Sequence, residues 1–411
     1  MKQIDLAVIG YGGRGSLYAK YARFFGSRIV AVCDPDADRR AASLKDGAGR
    51  VFASQDEFFA LPKLAGAVII ATMDKEHYAP AVRALEAGYD ILLEKPVSPN
   101  LNECIAIAEK ARKLKRKVVV CHCLRYSPFF TAMKQILDGG KLGDIMDISL
   151  VENVGYYHFA HSFVRGNWRN SETSAPVILA KSCHDLDILC WFIGKPCVSV
   201  SSFGSLSHFI PANAPGGSAD RCCDCKIKDK CVYNCYSIYN NKKYESLAGL
   251  AKHGRLGTAE PEINARLSEE GNLYGRCVYR CDNNVCDRQA VNMLFEGGVT
   301  AQFTLSAFSE DMGRSVKIHC SGGEIFGNID KNKVHYTVFG KKTKTVEVSF
   351  ESGEYASHGG GDILLVKQFI EYAAGGGRAP HITDIGVSVM SHAIAFAAEE
   401  SRLDGGRVVK L

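Results

Sequence analysis

The stretch "IDLAVIGYGGRG", Ile4–Gly15, runs an apolar segment straight into a glycine-rich turn. Ile4–Gly10 reads as a buried strand, and Gly10, Gly12 and Gly15 stand at G-x-G-x-x-G spacing, with Gly13 and Arg14 between them. Glycines at those positions permit a tight turn, close approach of backbone to a ligand, and close packing of helix on strand. Working outward, the strand-like segments Arg28–Asp34, Gly66–Thr72, Asp90–Glu94 and Val118–Cys123 alternate with helix-like ones such as His77–Gly88 and Leu101–Arg116. Near-continuous apolar strands separated by helices predict a doubly wound parallel sheet covered on both faces.

The turn then acquires a chemical meaning. A helix N-terminus offers unpaired N–H groups to a pyrophosphate. Asp34 ends the second strand at the distance where a carboxylate meets ribose hydroxyls, which suits NAD and repels the 2′-phosphate of NADP. Arg39 and Arg40 leave NADP open. Beside the glycine turn and Asp34, the strand-end positions Ala71, Thr72, His77, Glu94, Lys95 and His122 are expected to line the cofactor, because open parallel sheets bind ligands at the carboxyl ends of their strands.

The 411-residue chain suits two domains, 1–124 and 125–411, and 46% apolar residues suffice for real cores. The apolar runs are short for a membrane helix, and the start at Met1 shows no signal-peptide pattern, so a cytoplasmic protein that does not enter membranes is expected. A net charge of +5 spread along the chain gives no reason to expect nucleic-acid binding.

"ILLEKPVSPN", Ile91–Asn100, ends a buried strand in Glu94, Lys95 and Pro96. Pro96 restrains the backbone before it and so fixes Lys95 at the mouth of the sheet. Together with "VIIATMDKEHYAPAVRALEAG", the glycine turn, the helix around His184, "HGGGD" and "AFAAEESR", this motif resembles the glucose-fructose oxidoreductase, inositol dehydrogenase and rhizopine-catabolism (Gfo/Idh/MocA) family. The resemblance implies a Rossmann domain followed by an α+β domain with a large open, mostly antiparallel sheet. It also implies an EKP lysine in the active site, oxidation or reduction of a sugar or polyol carbon, and assembly as a homodimer or homotetramer.

"SAPVILAKSCHDLDILCWFIGKP" reads as one helix, with Leu179, Cys183, Leu186, Cys190 and Ile193 as its packed stripe. Lys181, His184 and Asp185 share the other face, with Asp187 at its margin, and His184 is the natural general base. In the family an aspartate precedes that histidine by four residues. Here Ala180 stands there and Lys181 follows, which removes a carboxylate and adds a cation. Lys95 and His184 are the expected catalytic pair. Substrate contacts are expected from Lys181 and Asp187, from Arg125 and Tyr126, from His161, Arg165, Trp168 and Arg169 in "YYHFAHSFVRGNWRN", and from His358. Asp362, opening the helix Ile363–Ala374, reads equally as an N-cap.

Sixteen cysteines in a long chain do not read as a disulfide framework. Cys222, Cys225, Cys231 and Cys235, in an insert at about 214–288, have spacing that admits structural zinc, an iron–sulfur cluster, or no metal. Val291–Leu305 reads as a hairpin, with further strands at Ser315–Cys320 and Thr345–Phe350. The sequence thus predicts an NAD-dependent oxidoreductase acting on a sugar, polyol or glycoside. Its rivals are an NAD-dependent glycosidase working by transient oxidation, and a sensor of sugar or dinucleotide without catalysis.

Overall fold

The structure, a computed structural model, describes residues 3–244, 247, 259–349 and 357–411. Six short strands, β1 (Leu6–Ile9), β2 (Ile29–Cys33), β3 (Arg50–Phe52), β4 (Ala67–Ile70), β5 (Asp90–Leu93) and β6 (Val118–Val120), form the first sheet. Its order is β3-β2-β1-β4-β5-β6 with every pairing parallel. The doubly wound reading therefore holds, and the sequence reading missed only the three-residue β3. All residues of β1 and β4 are buried, as strands covered on both faces must be.

The second sheet has nine strands: β7 (Ile145–Asn153), β8 (Cys197–Ser205), β9 (Arg288–Phe295), β10 (Thr300–Ser306), β11 (Gly313–Cys320), β12 (Gly323–Asn328), β13 (Lys333–Val338), β14 (Lys344–Glu347) and β15 (Val409–Lys410). The order is β14-β13-β12-β11-β7-β10-β9-β8-β15, and only β10 with β7 is parallel. In β9, buried Val291, Met293 and Phe295 alternate with Asn292 and Leu294 on the open face, so one face of the sheet is core. The expected hairpin is β9–β10, and the expected strand at Ser315–Cys320 lies within β11. Of Thr345–Phe350, the first three residues belong to β14, and Phe350 lies outside the described residues.

Helix Gly361–Ala373 returns to the first sheet. Its Leu365, Val366, Phe369 and Ile370 share a core with Leu6, Val8, Tyr18 and Leu92. Thr383 then accepts a backbone hydrogen bond from Val120 (2.8 Å). Two local expectations need correction. The segment around His184 is not one helix: Val177–Ala180 ends at a turn through Lys181 and Ser182, Ser182 leaves helical geometry, and Cys183–Ile193 starts afresh. Asp362 is no N-cap, since Gly360 holds that position and the Asp362 carboxylate points elsewhere. No helix among the described residues is long and apolar enough to cross a membrane.

Candidate active site

At the glycine turn, two glycines are demanded by the protein itself. A Cβ on Gly15 would lie 1.9 Å from the Gly10 carbonyl oxygen, and one on Gly10 (φ +88°) would lie 2.6 Å from that of Ala71. Gly12 differs: its nearest neighbour would be Arg39 Nη1 at 3.7 Å, so its bare backbone leaves room over the helix N-terminus. Asp34 is buried at the end of β2 and accepts from the backbone N–H groups of Tyr11 (2.7 Å) and Asp36 (2.9 Å). Arg39 approaches it at 3.7 Å, whereas Arg40 is committed to the carbonyls of Asp34 and Pro35. The turn, its open backbone and the fixed carboxylate fit a dinucleotide.

Arg14 reaches from this turn to Glu94 (2.7 Å) and Asp362 (2.5 Å). Burial alone would raise the Glu94 carboxyl, but Arg14, Lys95 and the Tyr18 hydroxyl outweigh it and hold it below its ordinary range. Asp362 is likewise held well down: burial is opposed by Arg14 and His358. Asp362 in turn binds His358 Nδ1 at 2.8 Å. Cys123, His358 and Asp362 have ligand atoms within 4.8 Å of one another. The Arg14 guanidinium already meets both Cys123 and Asp362, so a cation is in place there.

Lys95 follows β5, and its peptide bond to Pro96 is cis. Its Nζ donates to the Ala180 carbonyl at 2.8 Å. The helix break explains that partner: the Ala180 carbonyl ends a short helical turn instead of continuing into the next. A backbone oxygen thus faces the lysine where the family's carboxylate is missing. Two buried contacts hold the loop from below, His77 Nδ1 on the Pro96 carbonyl (2.7 Å) and His392 Nε2 on the Val97 N–H (2.9 Å). Accepting that N–H, His392 must carry its proton on Nδ1, which donates to the Ser388 carbonyl.

His184 is buried, and its Nδ1 has no hydrogen-bond partner. Its ring centroid lies 5.5 Å from that of His358 and 5.7 Å from that of His122, whose two nitrogens are also unpartnered. Burial, then the charges of Lys95 and His358, push His184 well below the usual imidazole value, so it is neutral at pH 7. His158 is depressed in the same way by burial, Lys181 and Lys95, and its Nδ1 is orphaned too. These groups face one another across the seam between the two sheets.

Lys181 turns to Glu152 (3.4 Å), which also pairs with Arg314 and accepts from Ser182 (3.0 Å). Arg314 holds Asp185 at 2.6 Å. The sequence reading missed Glu152 and Arg314. The register of β7 and β11 sets them directly opposite each other.

Several expected substrate contacts are engaged elsewhere. Arg125 and Asp187 form a fully buried bidentate pair at 2.5 and 2.7 Å. The Tyr126 hydroxyl is spent on Thr383 (3.0 Å). His161 stacks on Tyr274 and bonds the Tyr239 hydroxyl, while Arg165 reaches the carbonyls of Arg276 and Tyr233, both within the cysteine-rich insert. Arg169 pairs with Asp282, and Trp168 Nε1 donates to Asp74 (3.1 Å). These residues fall in a helical run, Tyr156–Arg165, and the turn after it, instead of an irregular loop. His77 faces inward, under the EKP loop. Of the four cysteines proposed as ligands, Cys222, Cys225 and Cys231 line one cavity and Cys235 does not.

A parallel, dinucleotide-type sheet joined to an open, mostly antiparallel sheet is the fold of a family of oxidoreductases. The chain belongs to the Gfo/Idh/MocA family: residues 4–122 match its profile "Oxidoreductase family, NAD-binding Rossmann fold", and 134–411 match its "C-terminal alpha/beta domain". It is 25% identical to YteT of Bacillus subtilis, named as an oxidoreductase, over 73% of this chain and 71% of that one. It is 28% identical to inositol 2-dehydrogenase of Corynebacterium glutamicum over 50% of this chain, spanning 60% of that relative's length. The fold is shared with levoglucosan dehydrogenase solved with NADH and levoglucosan, at a TM-score of 0.72, 15% identity, and coverage of 100% of this chain and 99% of that one.

Proposed function

We propose that this chain is an NAD-dependent dehydrogenase of a CH–OH group on a cyclic polyol or sugar. One observation carries the reading: half-buried Lys95 has its Nζ anchored on the Ala180 carbonyl close to the buried His184 imidazole, whose Nδ1 has no partner. The inositol and levoglucosan dehydrogenases among its relatives point to the same substrate class. Gly10, Gly12, Gly15 and Asp34 would hold NAD, which supplies the hydride acceptor when bound. His184 accepts the substrate hydroxyl proton. Lys95 stabilises the developing alkoxide with its charge.

The depressed basicity of His184 makes it a poor resting place for that proton. His358, 5.5 Å away between ring centroids and oriented by Asp362, passes it outward. Asp34 favours NAD over NADP, because a buried carboxylate repels a 2′-phosphate. In isothermal titration NAD is expected to bind at least ~10-fold tighter than NADP, a difference of about 1.4 kcal/mol. Equal or tighter NADP binding would overturn that role for Asp34.

Lys181 and Arg314 already have carboxyl partners in Glu152 and Asp185, so neither cation of this wall is free to pair with an acidic substrate. The wall suits a hydroxyl-rich neutral ring better than a uronic acid. We expect Lys181→Ala to raise KM roughly 10-fold or more, the worth of a hydrogen bond to a charged group. Unchanged KM and kcat in steady-state assays would remove Lys181 from substrate recognition.

A further inference from the structure

The cysteine-rich insert has too little apolar material to organise itself. Among the described residues its core is Cys222, Cys235, Ile238, Leu247, Ile263 and Leu267 with Tyr239, Tyr244 and Tyr274, and it borrows Tyr157 from the neighbouring helical run. Next to that core lies a cavity of about 20 Å³, room for one water or one ion and nothing larger. Four cysteines line it, and they are not the four that sequence spacing suggests: Cys222, Cys225, Cys231 and Cys277. Cys235 is fully buried in the insert core and touches the Cys222 thiol from outside the cavity.

The two halves of the cavity repeat each other. Cys231–Cys235 reads C-V-Y-N-C and Cys277–Cys281 reads C-V-Y-R-C. In both, the backbone N–H of the tyrosine two residues on, Tyr233 or Tyr279, is turned toward the sulfur of the first cysteine. The segments carrying Cys222 and Cys277 are stapled together, Cys222 N–H to the Gly275 carbonyl (2.9 Å) and Cys277 N–H to that of Asp220 (2.8 Å).

Charge fits as well. Arg165 lines the cavity, is 1% exposed, lies 4.0 Å from the Cys222 sulfur, and leaves its Nη1 buried without a partner. A divalent ion with four thiolates is net negative, which a buried guanidinium offsets. We propose that Cys222, Cys225, Cys231 and Cys277 bind one zinc-class divalent cation, which holds the insert together. Among the described residues no three of these cysteines have their sulfurs all within 4.8 Å of one another, so binding has to draw them inward. Each thiol gives its proton to water as it ligates.

The metal would also fix the site wall from behind. Arg165 ends the helical run Tyr156–Arg165 that carries His158, so the cage anchors one end of that run. The test is elemental analysis of full-length protein purified without a tag. About one zinc per chain is expected, as a closed four-ligand structural site requires. Cys231→Ser and Cys277→Ser should lose it, and Cys235→Ser should keep it. Alkylation of the wild-type protein covers variants that do not fold: Cys222, Cys225, Cys231 and Cys277 should be protected until a chelator is added. The proposal fails if neither zinc nor cobalt binds, if iron with sulfide is found, if Cys235→Ser abolishes binding while Cys277→Ser preserves it, or if the chelator changes no labelling.

Discussion

Lys95→Ala is expected to lower kcat by about 10²- to 10³-fold, the usual cost of removing one group that stabilises developing negative charge in a closed site. NAD affinity should stay near wild type, because Nζ contacts the Ala180 carbonyl at the seam and not the glycine turn or Asp34. The loss should fall on kcat and kcat/KM alike, the signature of an interaction made mainly in the transition state. Lys95→Arg keeps the charge but replaces a point ammonium with a bulkier planar fork, so only partial recovery is expected. Single-turnover rates and fluorescence titration with NAD read the two quantities separately. Wild-type turnover in Lys95→Ala would remove the lysine from the chemistry.

Asp187→Ala is expected to destabilise the fold by about 3–5 kcal/mol, since it leaves a buried guanidinium unpaired. Arg125 and Asp187 are both almost wholly excluded from water and share two hydrogen bonds. Burial raises the Asp187 carboxyl above its ordinary value despite Arg125, so desolvation already opposes the pair in the folded state. Replacing both by apolar residues of similar volume should therefore recover most of the loss, as it removes the stranded charge. Chemical denaturation of the single and double variants checks this. An Asp187→Ala variant of wild-type stability that binds substrate poorly would return Asp187 to the substrate site.

Much of this was legible in the sequence for physical reasons. Gly10 and Gly15 cannot carry a side chain, Asp34 needs a strand end, and Lys95 precedes a proline; each constraint is local. The helix around His184 was read as continuous because its apolar spacing is continuous. The interruption at Lys181–Ser182 coincides with contacts to Glu152, on a distant strand. Glu152 and Arg314 did leave a signal. Glu152 takes the inward position after Ile148 and Leu150, and Arg314 the one before Val316 and Ile318. A charge at the apolar position of two strands marks a buried pair, but only strand register shows that they meet. His161 and Arg165 looked like pocket residues because composition cannot tell a wall facing substrate from one facing an insert.

The most direct test is to incubate the purified protein with NAD and a panel of inositols, anhydrosugars and free sugars, following NADH absorbance and product chromatography together. Our reading predicts that at least one cyclic polyol or sugar yields NADH in step with its ketone, and that Lys95→Ala abolishes both. Tight NAD binding with no oxidation of any member, or glycoside cleavage without net NADH, would contradict it.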